Sequence, residues 1–105
     1  MKYRVAIRPE IDIDLAEACR WYDGRSPGVG DRFLNEFRVA LAKIQARPTS
    51  LPLIRADVRR ALMKPFPYHV YFRVTGTVVR VLLVMHSARH PARIDRALRK
   101  RSTSG

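Results

Sequence analysis

Residues 68–86 read YHVYFRVTGTVVRVLLVMH, and this segment is the centre of the predicted sheet. It contains two runs rich in β-branched and aromatic residues, 68–74 and 78–86, which predict two strands. The link Thr75-Gly76-Thr77 is too short for anything but a hairpin turn. The second run is apolar on both faces except at Arg80, which is typical of a central strand covered by helices on one side and partly covered on the other.

A third extended run, residues 58–64, precedes this hairpin. Pro65 and Pro67 lack the N–H groups that a strand ladder needs, so the segment that contains them is a connection. The three runs follow one another closely, and we therefore expect them to form an antiparallel meander.

The N-terminal half predicts one strand and two helices. Apolar and polar residues alternate over residues 3–7, as in a strand with one buried face. Over residues 10–22 apolar residues recur at helical spacing, and acidic residues occupy the first turn, where the helix dipole favours them. A connection rich in Gly and Pro, residues 23–30, leads to a second helix that Arg47-Pro48 ends. The apolar stripe of this helix consists of Phe33, Leu34, Phe37, Leu41 and Ile44.

The C-terminal segment predicts a short basic helix, because Ile94 and Leu98 lie four residues apart among arginines and lysines. We expect residues 101–105 to form a frayed tail. The whole chain, residues 1–105, is long enough for one core. The prediction is an α+β domain of order β-α-α-β-β-β, with a two-helix hairpin packed on an antiparallel sheet and the basic helix at the end.

The charge of the chain is strongly asymmetric. The formal net charge is +12, of which residues 1–57 contribute +2 and residues 58–105, where Asp95 is the one acid, contribute +10. Such a field attracts polyanions and acidic protein surfaces. We therefore expect the working surface to lie in the C-terminal half.

The sequence gives no indication of metal, export or membrane insertion. Cys19 is the single cysteine and no Cys/His spacing resembles a zinc site, which suits a reducing cytoplasm. His69, His86 and His90 lie among arginines that disfavour a divalent cation. The first ten residues lack the apolar core of a signal peptide, and charged residues interrupt every apolar run. We expect a cytoplasmic protein without cofactor or metal.

The element order resembles that of the RelE/ParE toxin superfamily, and local phrases bring the sequence closest to the ParE-like toxins. The phrases are Trp21-Tyr22, Gly30-Asp31-Arg32-Phe33-Leu34, Ile44 with Pro48, Phe66-Pro67-Tyr68 leading into Tyr71, and Val84-Met85-His86-Ser87-Ala88-Arg89-His90-Pro91. The resemblance implies a type II toxin that a short acidic antitoxin wraps, neutralises and joins in an oligomer. It leaves two targets open, since RelE-like toxins cut messenger RNA on the ribosome whereas ParE-like toxins poison DNA gyrase.

A nuclease would use basic residues of the predicted sheet. Metal-independent RNA cleavage needs a base, an acid and cations that hold the phosphate. In this interpretation His86 exchanges protons, while the phosphate is held by Arg60 and Lys64, or by Arg80, and Arg89 assists. Arg80 and His86 share a face if side chains alternate strictly, but their backbones lie about 20 Å apart, too far for a catalytic pair.

A binding toxin needs basic surface and no acid-base set, and this is the first hypothesis. Tyr68 stands where the ribonuclease branch commonly carries a basic residue, which argues against cleavage. The expected target-binding residues are Arg59, Arg60, Tyr68, Arg89, Arg93 and Arg96. For His86 and Arg89 a structural role at the strand end is an equal alternative, whereas Phe66, Tyr71 and Phe72 are expected in the core and Trp21 and Tyr22 in helix packing. A third hypothesis is a non-toxic basic module that binds nucleic acid or the ribosome.

Overall fold

Within residues 2–102, the part of the chain that the computed structural model describes, the elements form a helical layer, a mixed sheet and a third helix. They are β1 (Arg4–Ile7), α1 (Glu10–Arg25), α2 (Val29–Ala46), a 3-10 turn (Pro48–Ser50), β2 (Leu53–Arg55), β3 (Val58–Leu62), β4 (Tyr68–Thr75), β5 (Val78–His86) and α3 (Pro91–Ser102). The α+β prediction is confirmed. Of the expected frayed tail, Arg101 and Ser102 instead form the end of α3, and residues 103–105 lie outside the described residues.

The sheet has the strand order β1-β5-β4-β3-β2. The meander β3-β4-β5 is antiparallel as predicted, and Gly76, with φ of 60°, supplies the positive φ that its two-residue hairpin turn requires. Two features differ from the expectation of a wholly antiparallel sheet. The strand β1 pairs parallel to β5, and the short strand β2 extends the edge beside β3. Alternation of apolar residues indicates which face of a strand is buried but not its direction or its neighbour.

One face of the sheet, here called the helix-side face, packs against α1 and α2. Their apolar stripes bury Ile11 and Ala18 from α1, and Phe33, Phe37 and Ile44 from α2. The sheet contributes the fully buried or nearly buried side chains of Ala61, Val70, Phe72, Val79, Val81 and Val84. This core fixes the orientation of β4 and β5 relative to α1.

The other face of the sheet, here called the α3-side face, has a smaller core beneath α3. Leu98 of α3 is 1% exposed and packs with Val58, Tyr71 and Leu83. The prediction that the central strand β5 is covered on both faces is therefore confirmed, and the covering helix on this side is the basic one.

A β-bulge in β5 changes which side chains share a face. Phe72 pairs with Val81 but Tyr71 pairs with Leu83, so Leu82 is an extra residue in β5. Arg80, opposite Arg73, consequently lies on the α3-side face. His86, opposite Tyr68, lies on the helix-side face. The expectation that Arg80 and His86 share a face is wrong, because the bulge shifts the alternation by one residue.

An ion pair between α1 and α3 holds the bulge. The side chains of Asp14 and Arg101 are 11% and 18% exposed and make a two-pronged contact of 2.6 Å and 3.0 Å. Asp14 also accepts the backbone N–H of Val84 at 3.0 Å, and Arg101 donates to the carbonyl of Leu82 at 3.1 Å. The pair thus joins α1, β5 and α3.

Candidate binding groove between α1 and β5

Four of the predicted site residues meet in one groove between α1 and the C-terminal end of β5. Tyr68 begins β4, His86 ends β5, Arg89 lies in the following turn, and Arg93 is in the first turn of α3. The groove has a volume of about 540 Å³, and α1 contributes its opposite wall: Asp14, Glu17, Ala18 and Trp21. This arrangement, called below the α1–β5 groove, results from the central position of β5 under α1.

Tyr68 is half-buried at the inner side of the groove. Its ring makes edge-to-face contacts with Phe33, at a centroid distance of 4.9 Å, and with His86, at 5.2 Å. Burial raises the pKa of the Tyr68 hydroxyl, while the charge of Arg89 opposes that rise. Tyr68 is therefore a neutral hydrogen-bonding group in an aromatic wall at neutral pH.

His86 is partly engaged by its own turn. Its Nδ1 accepts the backbone N–H of Ala88 at 3.0 Å, which leaves Nε2 as the ring nitrogen that can contact a ligand. The N–H of Arg89 also donates to the carbonyl of His86 at 3.1 Å. These contacts agree with a structural role of His86 at the strand end, and they hold the ring in a fixed orientation against Tyr68.

The rim of the groove is basic on one side and acidic on the other. Arg89 and Arg93 are exposed, and neither forms an ion pair with a carboxylate within residues 2–102. Glu17 on α1 faces them across the groove. Charged rims around an apolar and aromatic interior are suited to protein recognition, where aromatic and Arg side chains contribute most of the binding energy.

The prediction for Trp21, which lines the groove, is wrong. It was expected in helix packing, but its side chain is 53% exposed, with the guanidinium of Arg25 4.3 Å from the ring centroid. Tyr22, by contrast, packs as expected, on Phe33 and Phe66. Both residues occupy the last turns of α1, where the apolar stripe is narrow enough to bury one aromatic ring and not its neighbour.

The other predicted site residues lie elsewhere. Arg80 and Arg60 are on the α3-side face, and Lys64 follows β3 in a second groove beside α2. Arg59 donates to the carbonyls of Thr49 and Leu51, at 3.2 Å and 2.6 Å, and so fastens the loop before β2. Arg96 is exposed on α3. The four residues of the nuclease interpretation, Arg60, Lys64, Arg80 and His86, are thus not brought together.

A cluster on the α3-side face was not predicted. Arg60 pairs in register with Tyr71, beside His69, and His69 Nδ1 lies 3.1 Å from the hydroxyl of Ser87. Burial, and to a lesser degree the charge of Arg60, lower the pKa of His69. Burial likewise raises the pKa of Tyr71, whose side chain is fully buried. Alternation on β4 could have placed His69 and Tyr71 on one face, but not Ser87, which comes from the turn after β5.

Within the described part of the chain no group of three or more His, Cys, Asp or Glu side chains is arranged to hold a metal ion. The described helices also include none that is long and apolar enough to cross a bilayer.

Comparisons with known proteins give one consistent result. No protein-family model matches the sequence. Toxin ParE2 of Mycobacterium tuberculosis strain CDC 1551 / Oshkosh is 28% identical over 96 residues, covering 90% of this chain and 91% of that toxin. Toxin ParE2 of strain H37Rv matches to the same extent. A solved structure, the chromosomal ParDE TA system from P. aeruginosa, superposes with a TM-score of 0.72 at 16% identity, covering 81% of this chain and 96% of that chain.

Proposed function

We propose that this chain is a ParE-like toxin of the RelE/ParE superfamily, and that it inhibits growth by binding DNA gyrase until an acidic antitoxin neutralises it. Since gyrase acts in the cytoplasm, the proposal places the protein there. No cofactor or metal takes part.

The observation that carries the binding mechanism is the distribution of the candidate side chains. The α1–β5 groove gathers aromatic and basic groups, Tyr68, Trp21, Arg89 and Arg93, which are the residue types of protein-protein contacts. The cations that would hold a scissile phosphate lie on other surfaces, and the Nδ1 atom of His86 is occupied by a backbone N–H. This separation favours recognition over cleavage.

The charge supports an acidic antitoxin. A toxin of net charge +12 gains association rate and specificity from a partner of opposite charge. The P. aeruginosa neighbour is described as a toxin-antitoxin system, which is consistent with such a partner here. We infer that toxin and antitoxin form a hetero-oligomer.

A ribosome-dependent endoribonuclease is the second candidate, and the Arg60–His69–Tyr71 cluster is what favours it. The cluster combines a cation, an imidazole that can exchange protons and a phenol. Tyr71 is fully buried, however, so that the cluster would have to open before it could contact RNA.

Controlled expression without antitoxin separates these functions. The gyrase proposal predicts growth arrest with broken chromosomal DNA and intact transcripts, and inhibition of supercoiling by the purified protein. Cleavage of translated transcripts that is lost in His69→Gln or His86→Gln would instead support the nuclease. Normal growth at confirmed expression would remove both and leave the non-toxic binding module.

A further inference from the structure

Three arginines line a third, smaller pocket at the end of the sheet opposite the α1–β5 groove. Its volume is about 270 Å³. Arg73 and Arg80 are direct cross-strand partners on the α3-side face, and Arg8, which follows β1, closes the pocket from the side. Two like charges placed directly opposite each other destabilise a sheet unless something compensates them.

The compensation within the described residues is incomplete. Arg73 Nε lies 2.8 Å from Asp57, and Arg8 Nε lies 3.2 Å from Glu10. Both carboxylates reach in from the surface, with side chains 60% and 41% exposed. Arg80 forms no ion pair with a carboxylate of residues 2–102, so the cross-strand pair of Arg73 and Arg80 has one described carboxylate, Asp57, for two guanidinium groups.

We propose that the Arg8–Arg73–Arg80 pocket binds a phosphate group. Planar guanidinium groups match the oxygens of a tetrahedral phosphate in two-pronged contacts. Arg8 is held in place by Glu10 and by the backbone carbonyl of Arg101, so it contributes charge in a fixed position. The volume admits a phosphate with several waters, each of which takes about 30 Å³ in the liquid. The phosphate can be inorganic or the terminal group of a nucleotide chain, because both present at least three unesterified oxygens. This pocket is independent of the proposed gyrase contact.

The test is a titration of the purified full-length protein with inorganic phosphate at constant ionic strength, followed by the arginine Nε–H signals in NMR spectra. The pocket predicts saturable shifts of the Arg73 and Arg80 signals. Arg80→Gln should weaken binding at least tenfold, while the charge-matched control Arg38→Gln, exposed on α2, should bind within twofold of the wild type.

Stability without phosphate provides the second measurement. Because Arg80→Gln removes the repulsion from Arg73, the variant should unfold at the same or a higher urea concentration than the wild type in phosphate-free buffer. Non-saturable shifts, an equal loss in Arg38→Gln, or clear destabilisation by Arg80→Gln would overturn the proposal.

A final comparison identifies the source of the phosphate. If an oligonucleotide with a 5′-phosphate competes with inorganic phosphate better than its 5′-hydroxyl counterpart, the pocket receives a terminal phosphate of a nucleotide chain. If the two oligonucleotides compete equally weakly while inorganic phosphate saturates the site, the ligand is the free ion.

Discussion

At the scale of single residues, Asp14 provides a hydrogen bond that a neighbouring strand would otherwise give to β5 beyond the end of β1. The strand β1 ends opposite Val81, so the following residues of β5 have no neighbouring strand on that edge within residues 2–102. Asp14 accepts the N–H of Val84, and Arg101, which it binds, satisfies the carbonyl of Leu82. A polar group left unsatisfied at this depth costs free energy, and these two side chains remove that cost.

Replacing Asp14 should therefore destabilise the folded protein. Asp14→Ala removes the carboxylate that binds Arg101 and accepts the Val84 N–H, and we expect a loss of about 3 kcal/mol in the free energy of unfolding, measured by urea denaturation. Arg101→Ala should cost a similar amount, and the double variant should cost less than the sum of the two. Asp12→Ala, an exposed change in the same helix, should cost well under 1 kcal/mol. Equal effects of Asp14→Ala and Asp12→Ala would contradict the bridging role.

His69 should make stability depend on pH. Its pKa in the folded protein is lowered below the ordinary value of 6.5, chiefly by burial, so the unfolded chain binds the proton more readily. The stability that neutral His69 allows is fully present above pH 6.5 and is lost as the pH falls through the lowered pKa of His69. The urea midpoint should fall from pH 7.5 to pH 5.5 in the wild type and change less in His69→Gln. The pKa of Glu10 is lowered from its ordinary value of 4.5, so Glu10 changes the stability only at pH values below this range. A pH dependence in His69→Gln as steep as that of the wild type would contradict this role of His69.

At the scale of elements, the β4–β5 hairpin depends on Gly76. With φ of 60°, Gly76 occupies a conformation that costs an L-residue about 1 to 2 kcal/mol. Gly76→Ala should lower stability by that amount. Gly24→Ala is the matched control, because Gly24 lies in α1 and no atom lies within 4 Å of an added Cβ. Alanine at this helical position should raise the stability by up to about 1 kcal/mol. The two changes should shift the thermal midpoint in opposite directions.

The β4–β5 hairpin could be predicted from the sequence, whereas the bulge in β5 could not. The short link around Gly76 allows only one connection, and the 3.6-residue spacing of Phe33, Phe37 and Ile44 defines a helix from neighbouring residues alone. The extra residue Leu82 has no such signature, since β5 is apolar on both faces and any register buries its side chains. The face of Arg80, and hence its partner Arg73, could therefore be obtained only from the pairing of the strands.

The β-strand and turn residues of the α1–β5 groove could be predicted from the sequence, but its helical wall could not. Tyr68, His86, Arg89 and Arg93 are close in sequence to the strand ends, where charge and aromatic content single them out. Trp21 was missed because its exposure depends on how far α1 is rotated over β5. Such rotation is a property of packing and not of periodicity.

At the scale of the whole molecule, the positive charge is divided among several surfaces and does not form one face. Arg73 and Arg101 are paired with the acids Asp57 and Asp14, so part of the C-terminal charge is compensated by the N-terminal half. Arg89 and Arg93 remain at the groove, Arg80 lies in the phosphate pocket, and Lys64 lies beside α2. Different polyanionic partners can therefore meet different parts of the same basic protein.

This division predicts that the position of the arginines, and not the total charge of the protein, decides target binding. The double variant Arg89→Gln/Arg93→Gln and the control Arg32→Gln/Arg38→Gln, both exposed pairs, lower the net charge equally. If the α1–β5 groove contacts gyrase, the first variant should weaken binding at least tenfold, whereas the second should change it less than threefold through the general field. Raising the salt from 0.05 M to 0.5 M should reduce this difference, because exposed charges are screened within a few ångströms at the higher concentration. Biolayer interferometry with immobilised gyrase measures the association and dissociation rates. Equal losses of affinity in the two double variants would exclude the α1–β5 groove as the gyrase contact.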